Sequence, residues 1–327
     1  MMEWTDRHCR FFLRQLSRHC LLYTEMVTTG AILRGNPDWL LKFNATEHPV
    51  SLQIGGSDPR ALASAARIGS DYGYDEINLN VGCPSDRVRT GRFGACLMAE
   101  PELVADCIAA MINTIDLPVT VKTRIGIDAL DSYEFLQQLL EHVMAAGCRT
   151  VIIHARKAIL GGLSPKENRT IPSLNYATVY RVKQDFPELE VILNGGVQDL
   201  SAAVTHLDSV DGVMLGREAY HNPYILAGVD MRFFGATQQP PSREMIIHRM
   251  LAYIETELNA GTALKHITRH MLGLYHGIPG ARAWRRHLSR YATASAAGME
   301  VIEEALDIVN STTAPVNSQP ASQTGHG

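Results

Sequence analysis

Short β-rich runs alternate with helical patterns over the first 235 residues, and this alternation constrains the fold more than any other feature of the sequence. Most of the runs are continuously apolar, as expected where both faces of a parallel strand are covered. The runs predicted as strands are Leu21–Thr24, Pro49–Ile54, Glu76–Val81, Pro118–Thr123, Thr150–His154, Glu190–Asn194 and Gly212–Leu215. The helical segments predicted between them are Pro59–Tyr72, Pro101–Thr114 and Asp131–Ala146.

The number of strands predicts a nearly complete barrel. A closed β/α barrel needs eight strands, and the sequence shows seven, preceded by a helix-like segment at Asp6–Ser17. We therefore expect an α/β protein with a (β/α)8 TIM barrel whose first strand is missing from this chain. An open seven-stranded sheet is the alternative.

The strand pattern stops after Phe234, and the composition then predicts a second domain. Residues 236–241 are predicted as a linker, with Ser242 as the N-cap of the helix that follows. A helical domain is expected over 242–310, after a barrel domain over 1–235. Its helices are predicted at Met245–Leu258, Ala263–His276, Ala281–Ala292 and Met299–Val309. The polar residues 311–327 are predicted as a disordered tail.

Composition excludes several classes of protein. No apolar run is long enough for a membrane-spanning helix and no secretory signal opens the chain, so a cytoplasmic protein without a membrane partner is expected. The six cysteines form no C-x-x-C pair, which argues against a disulfide framework and against a bound metal. The net charge of −4 argues against a uniformly basic surface, yet the stretch from Leu258 to Met299 contains no Asp or Glu.

Polar side chains follow the predicted strands at their carboxyl ends, where barrels carry their reacting groups. Gln53, Lys122 and His154 point from three such ends toward one axis, and this set suits a planar heterocycle with carbonyls and ring nitrogens. Flavin mononucleotide (FMN) is the expected occupant. Taken singly, Lys122 could extend along apolar surface to reach water, and His154 could be a hydrogen-bonded core residue.

The last two predicted strands end in glycines, which allow backbone N–H groups to approach an anion. Asn194-Gly195-Gly196 follows one strand and Gly216-Arg217 follows the other. Two such turns in neighbouring positions favour a phosphate site. Either glycine turn alone fits ordinary turn chemistry equally well.

Cys83 lies in a sharp turn, Asn80-Val81-Gly82-Cys83-Pro84-Ser85, that would place its thiol at the mouth of the barrel. A thiol is mostly protonated at neutral pH, so it can donate a proton as well as attack an electrophile. The alternative for Cys83 is a small buried apolar side chain. The other five cysteines are predicted to be packing residues.

Two basic segments indicate a polyanionic partner. Arg282, Arg285, Arg286 and Arg290 share one face of a predicted helix without acidic neighbours, which is a pattern expected for phosphate contacts. The loop 162–169 follows the strand end at His154 and adds further basic residues. A solvated charged loop is the alternative for this second segment.

These motifs, in this order, resemble the A subfamily of the flavin-dependent tRNA-dihydrouridine synthases over residues 1 to about 310. The resemblance rests on short motifs spread along the chain. They are Trp4-Thr5-Asp6-Arg7, Glu25-Met26-Val27-Thr28, Leu52-Gln53-Ile54-Gly55-Gly56, Asn78 to Ser85, Val121-Lys122-Thr123-Arg124, Ile153-His154-Ala155-Arg156, Ser164 to Arg169, Asn194-Gly195-Gly196, Gly216-Arg217-Glu218, Pro279 to Arg282 and Trp284-Arg285-Arg286.

The resemblance implies a barrel with bound FMN, a helical tRNA-binding domain, and NADPH-driven reduction of uridine to 5,6-dihydrouridine at positions 20 and 20a of tRNA. Cys83 would be the proton donor, and no protein partner or metal is implied. The residues implied to bind FMN are Met1, Met2, Gln53, Lys122, His154, Asn194, Gly195, Gly196, Gly216 and Arg217. The residues implied to contact tRNA are Asn80, Lys166, Arg169, Arg282, Arg285 and Arg286.

One departure from the family and two other functions qualify this expectation. Family members carry an additional strand before an Ala-Pro-Met turn, whereas this sequence opens at a Met that matches the last residue of that turn. An FMN oxidoreductase of a free pyrimidine or another small enone is one alternative. A catalytically inactive tRNA-binding paralogue is the other.

Overall fold

The computed structural model describes residues 1–85, 88 and 90–313, and the chain divides into two compact units, Met1–Pro240 and Pro241–Gly327. The first unit is built around one parallel sheet flanked by helices. The strands of this sheet are β1 (Leu22–Tyr23), β2 (Val27–Thr28), β3 (Val50–Gly55), β4 (Glu76–Asn80), β5 (Val119–Arg124), β6 (Thr150–His154), β7 (Glu190–Asn194) and β8 (Gly212–Met214).

Each of the seven predicted strands is present, and β2 is an addition to them. Both β1 and β2 pair in parallel with β3, Leu22 opposite Val50 and Val27 opposite Ile54. They are therefore two parts of one strand position, interrupted at residues 24–26. From β3 the order runs through β4, β5, β6 and β7 to β8, with each strand parallel to the next. This confirms a curled, TIM-barrel-like sheet. Among the described residues, no pairing joins β8 back to β1.

Helices of the first unit begin where the sequence supplies caps. Asp58 accepts a hydrogen bond from the N–H of Ala61 at 2.9 Å, and Ser132 accepts one from Phe135 at 3.2 Å. The helices are α1 (Arg7–Arg14), α2 (Thr29–Arg34), α3 (Pro37–Leu40), α4 (Pro59–Asp71), α5 (Pro101–Ile112), α6 (Tyr133–Ala145), α7 (Tyr176–Asp185), α8 (Leu200–Leu207), α9 (Arg217–His221) and α10 (Val229–Phe233). Short 3-10 turns cover Ala45–Glu47, Gly94–Ala99, Glu167–Arg169 and Pro223–Gly228.

Strand β4 shows how the core and the functional edge arise from one alternating pattern. Ile77 and Leu79 are fully buried among the apolar core residues. Glu76, Asn78 and Asn80 alternate with them, so they lie on the opposite face of the strand. That face is the interior of the curled sheet. The candidate site lies on it at the carboxyl end of the strand.

The second unit is helical. Its helices are α11 (Arg243–Asn259), α12 (Lys265–Thr268), α13 (Ala281–Tyr291) and α14 (Glu300–Thr313). Ser242 caps α11 as predicted, accepting from the N–H of Met245 at 3.1 Å.

The single long helix predicted at Ala263–His276 is wrong, because α12 ends at Thr268 and tight turns follow. Backbone bonds there span three residues rather than four, as from the N–H of Leu274 to the carbonyl of Met271 at 3.0 Å. The indole Nε1 of Trp284 also donates to the Met271 carbonyl, at 3.0 Å. The Met271 carbonyl therefore accepts hydrogen bonds from the indole and from the third following N–H, which is not the pattern of an α-helix.

The start of the predicted disordered tail also needs correction. Helix α14 continues through Ser311 and Thr312 to Thr313. The hydroxyls of Ser311 and Thr312 donate to the carbonyl of Ile308 at 2.9 and 2.8 Å, so the polar side chains bond to the last turn of the helix rather than ending it. Residues 314–327 lie outside the described residues. No helix in the described part of the chain is long and apolar enough to cross a bilayer.

Candidate active site

The carboxyl ends of the parallel strands bring the predicted site residues of the first unit together. Asn80 at the end of β4 lies opposite Lys122 in β5. His154 at the end of β6 lies opposite Asn194 at the end of β7. Because parallel strands in register end at the same edge of a sheet, these side chains lie at one mouth. Gln53 joins them from β3 through a hydrogen bond with Asn80, 2.8 Å from Asn80 Nδ2 to Gln53 Oε1.

The turn that carries Cys83 is fixed from two sides. Asn80 Oδ1 accepts the backbone N–H groups of Gly82 and Cys83 at 3.1 and 2.9 Å. The carbonyl of Cys83 accepts the N–H of Ala95 at 2.9 Å. Gly94 allows this approach, because it has φ +70° and a Cβ there would lie 2.7 Å from the Cys83 carbonyl oxygen. The thiol of Cys83 is half-buried, with Sγ 3.6 Å from Ser85 Oγ.

Lys122 connects two strand ends. Its Nζ donates to Asn194 Oδ1 at 3.1 Å, and Asn194 Nδ2 donates to the carbonyl of Met214 at 2.8 Å. Burial, helped by the nearby Arg124 guanidinium, lowers the pKa of Lys122 to about 8. The ammonium is therefore protonated at neutral pH, but it loses its proton more readily than an exposed lysine does.

His154 is a neutral imidazole at physiological pH. Burial lowers its pKa to about 2, and the positive charges of Arg124 and Lys122 act in the same direction. The ring lies against Gly195, which has φ +118°, and a Cβ at Gly195 would stand 2.7 Å from His154 Cδ2. A glycine is required at 195 by both the backbone and the ring.

The Gly195-Gly196 turn is supported by a residue that sequence reasoning missed. The hydroxyl of Tyr176, at the start of α7, donates to the carbonyl of Gly195 at 2.9 Å. A Cβ at Gly196, which has φ +74°, would lie 2.6 Å from the same hydroxyl oxygen. The sequence carries no local signal for this contact, since Tyr176 lies 19 residues before Gly195.

Arg124 is the second residue whose role only the structure reveals. Its side chain is 4% exposed and donates to the carbonyls of Gly82 at 2.9 Å, Lys157 at 3.0 Å and Asn168 at 3.1 Å. Burial lowers its pKa to about 10, so the guanidinium is still charged at neutral pH. Arg124 thereby joins the turn of Cys83 to the loop that carries Arg169.

Four guanidinium groups collect at this edge of the sheet: Arg124, Arg156, Arg169 and Arg217. Arg217 donates to the carbonyl of Arg169 at 3.1 Å, and Arg156 donates to the carbonyls of Thr170 and Pro172. The Nε of Arg169 is buried and has no hydrogen-bond partner among residues 1–85, 88 and 90–313. Burial lowers the pKa of Arg156 and of Arg169, and the charge of Arg217 lowers both further. In the part of the chain that is described, no carboxylate pairs with any of the four.

The N-terminal residues and Lys166 take different positions. Met1 Sδ lies 3.9 Å from where a Cβ on Gly216 would stand, and the Met1 amino group donates to Thr5 Oγ1 at 2.6 Å. Met1 therefore lies next to the predicted Gly216-Arg217 turn, whereas the side chain of Met2 is 55% exposed. Lys166 is also exposed, at the start of the short 3-10 turn that carries Arg169.

The predicted arginines of the second unit form an exposed helix face. Arg282, Arg285 and Arg286 on α13 are exposed, while Trp284 and Leu288 on the other side of the helix are buried. Within the described residues, no ion pair engages these three arginines. A basic face of this kind is available to a polyanion.

Comparison with known proteins identifies the family. Residues 1–310 match the family model described as "Dihydrouridine synthase (Dus)". The chain belongs to the dihydrouridine synthase family. This confirms the recognition made from the motifs and the expectation of an oxidoreductase that forms dihydrouridine.

Other dihydrouridine synthases resemble the chain over almost its whole length. It is 60% identical to the tRNA-dihydrouridine(20/20a) synthase of Shewanella oneidensis over 94% of this chain and 92% of that protein. It is 60% identical to the enzyme of that name from Vibrio cholerae, over 94% of each chain. For the Escherichia coli K12 enzyme the identity is 59%, over 94% of this chain and 90% of that one.

A solved structure supports the fold of this dihydrouridine synthase. The old yellow enzyme homologue from Zymomonas mobilis superposes with a TM-score of 0.51, covering 75% of this chain and 87% of that one. At 13% identity, this likeness concerns the fold alone.

Proposed function

We propose that this protein reduces uridine to 5,6-dihydrouridine in tRNA, at positions 20 and 20a, with FMN as cofactor and NADPH as reductant. The observation that carries the proposal is the joint presence, at one edge of the sheet, of a thiol in a fixed turn, a neutral imidazole and uncompensated guanidinium groups. A proton donor, a flavin partner and an anion site are the three parts that this reaction requires. We propose the cytoplasm as its location, where tRNA is available.

The residues present fit FMN. The carbonyl oxygens and ring nitrogens of an isoalloxazine need donors and acceptors that are already oriented, and Gln53, Lys122 and His154 offer them from β3, β5 and β6. A phosphate needs close backbone approach and positive charge. Gly195 and Gly196 have no side chain that could block this approach, and Arg217 lies beside them at the end of the next strand. Asn194, Gly216 and Met1 complete the proposed contacts.

The chemistry follows from the structure of uracil, whose C5–C6 double bond is conjugated with a carbonyl. Gln53, Lys122 and His154 would hold FMN, which would supply the hydride for C6 once NADPH has reduced it. The thiol of Cys83 donates its proton to C5, which gives 5,6-dihydrouridine and leaves a thiolate that water reprotonates. The hydrogen bonds from the backbone N–H groups of Gly82 and Cys83 to Asn80 fix the turn that carries that thiol. We propose that Asn80 also contacts the target nucleotide.

The uncompensated charges support a polyanionic substrate. The unpartnered Nε of Arg169 is a donor that a base or phosphate oxygen of the substrate would satisfy. Lys166, on the same turn, would contact the tRNA backbone. Arg282, Arg285 and Arg286 would contact phosphates from the helical domain. We propose that this domain covers 242–310 and that the catalytic domain covers 1–235. The target base must leave its stack to reach the thiol, and such contacts hold the RNA while it does.

The first experiment is an absorption spectrum of the purified chain with added FMN and then NADPH. Flavin bands that shift on binding and bleach with NADPH would support both cofactors. Uridine-containing tRNA should then gain dihydrouridine, measured by nucleoside mass spectrometry. Turnover of free uracil without turnover of tRNA would favour the small-molecule oxidoreductase instead, and tRNA binding without any turnover would favour the inactive paralogue.

A further inference from the structure

A directed chain of hydrogen bonds runs from the turn of Cys83 into the interior of the sheet. The N–H of Cys83 donates to Asn80 Oδ1 at 2.9 Å, and Asn80 Nδ2 donates to Gln53 Oε1 at 2.8 Å. Gln53 Nε2 donates in turn to Asn78 Oδ1 at 2.8 Å. Three side-chain amides are thus joined head to tail.

The chain ends at a buried hydroxyl. Asn78 Nδ2 donates to Thr120 Oγ1 at 2.8 Å. A second buried hydroxyl, Ser51 Oγ, donates instead to Glu76 Oε1 at 2.7 Å. Asn78 and Thr120 are 0% and 2% exposed, so water cannot replace these bonds.

The direction of this chain is imposed at the turn of Cys83. The backbone N–H groups of Gly82 and Cys83 can only donate, so Asn80 must turn its oxygen toward them. Gln53 then accepts from Asn80 and donates to Asn78, which donates in turn to Thr120. Reversing any of the three amides would place two donors or two acceptors face to face.

We propose that Thr120 is a positioning residue for the active site. It orients the amides of Asn78, Gln53 and Asn80, and through Asn80 it fixes the turn that carries Cys83. Thr120 is not proposed to touch substrate or cofactor. The catalytic meaning of this arrangement rests on the proposed function, because it matters for turnover only if Cys83 donates the proton.

The test compares two buried hydroxyls, those of Thr120 and Ser51. Thr120→Val removes the hydroxyl that ends the chain and keeps the shape of the side chain. Ser51→Ala is the matched control, because Ser51 is equally buried but donates to Glu76 and bonds none of the three amides. Thr120→Ser is the rescue variant, since it restores the hydroxyl.

Two measurements made without substrate report on the turn directly. Hydrogen exchange in the peptide containing Gly82 and Cys83 is expected to become about tenfold faster in Thr120→Val, the factor that corresponds to the loss of about one buried hydrogen bond. The rate of Cys83 alkylation by iodoacetamide, followed by peptide mapping, should rise with it. Ser51→Ala and Thr120→Ser should leave both rates near those of the unchanged protein.

Turnover provides the third readout. The kcat for tRNA should fall about tenfold in Thr120→Val with little change in KM, because a displaced proton donor affects the chemical step. Loss of kcat without a change in exchange or alkylation would overturn the proposal, as would equal changes in Ser51→Ala. Should Thr120→Val fail to fold, Thr120→Ala against Thr120→Ser makes the same comparison. Exchange and alkylation do not depend on dihydrouridine formation, so faster exchange in a protein that does not modify tRNA would refute only the proposed function.

Discussion

Gly195 offers the sharpest test of the candidate flavin site, because two separate requirements for glycine meet there. In Gly195→Ala the new Cβ would stand 2.7 Å from His154 Cδ2, and the backbone has φ +118°. The backbone conformation costs about 1–3 kcal/mol for a residue with a side chain. Displacing the His154 ring or the turn adds about 1–3 kcal/mol of overpacking. We expect a loss of about 2–6 kcal/mol in the free energy of unfolding, with FMN binding weakened at least about tenfold as the ring and the turn separate.

Two other glycines allow the effect of the backbone conformation to be measured separately from the effect of overpacking. Gly162 has φ +84° but no atom within 4 Å of a built Cβ, so Gly162→Ala should pay only the backbone cost. Gly161 has neither constraint, and Gly161→Ala should be neutral or slightly stabilising, by up to about 1 kcal/mol. Urea unfolding gives the free energies, and fluorescence titration gives the FMN dissociation constant. The reasoning fails if Gly195→Ala loses no more stability than Gly162→Ala and binds FMN with unchanged affinity.

Three further predictions concern the thiol, the basic helix and the buried lysine. Cys83→Ala should bind FMN and tRNA normally but form dihydrouridine about 10²–10⁴-fold more slowly, and normal single-turnover rates would remove the proton-donor role. Replacing Arg285 and Arg286 by alanine should weaken tRNA binding and reduce the slope of log K against log salt by about one per contact; an unchanged slope would exclude this face from the interface. Lys122 has a pKa near 8 in the folded protein against 10.5 as its ordinary value, so the folded state binds fewer protons between these values and stability should rise with pH there. Lys122→Met should reduce the gain in unfolding free energy between pH 8 and pH 10.5 by about 2 kcal/mol, measured by urea unfolding at both pH values. An equal gain in the variant and in the unchanged protein would contradict the lowered pKa of Lys122.

The sequence predicted the strands well because their signal is local. The strands at 150–154 and 190–194 match their predicted limits to the residue, since a short apolar run bounded by polar or turn residues is visible within a few positions. Strand β2 was missed because two residues are too few to show a period. The helix predicted at 263–276 failed for a related reason. Its apolar spacing is helical, but Gly273 lowers the helix propensity and Trp284, distant in sequence, bonds the Met271 carbonyl.

The residues of the candidate site likewise divide into those that the sequence predicted and those that it could not predict. Cys83, Lys122, His154 and the paired glycines could be found from the sequence, because in a parallel sheet the position of a residue at a strand end determines the edge at which it lies. Tyr176 could not, because its bond to Gly195 joins the start of a helix to a turn on a different strand. Family membership rests on ordered motifs, which are likewise a property of the sequence.

The sequence by itself determined which residue types stand at the ends of the strands, because hydrophobic periodicity and turn chemistry act over a few neighbouring residues. Only the tertiary structure decided the protonation states and the hydrogen-bond partners of those residues. The imidazole of His154 is neutral because burial and the cations of other strands surround it, and Lys122 bonds Asn194 across 72 residues of chain. Desolvation and the direction of a hydrogen bond depend on neighbours in space, and these exist only once the sheet has curled and brought the strand ends together.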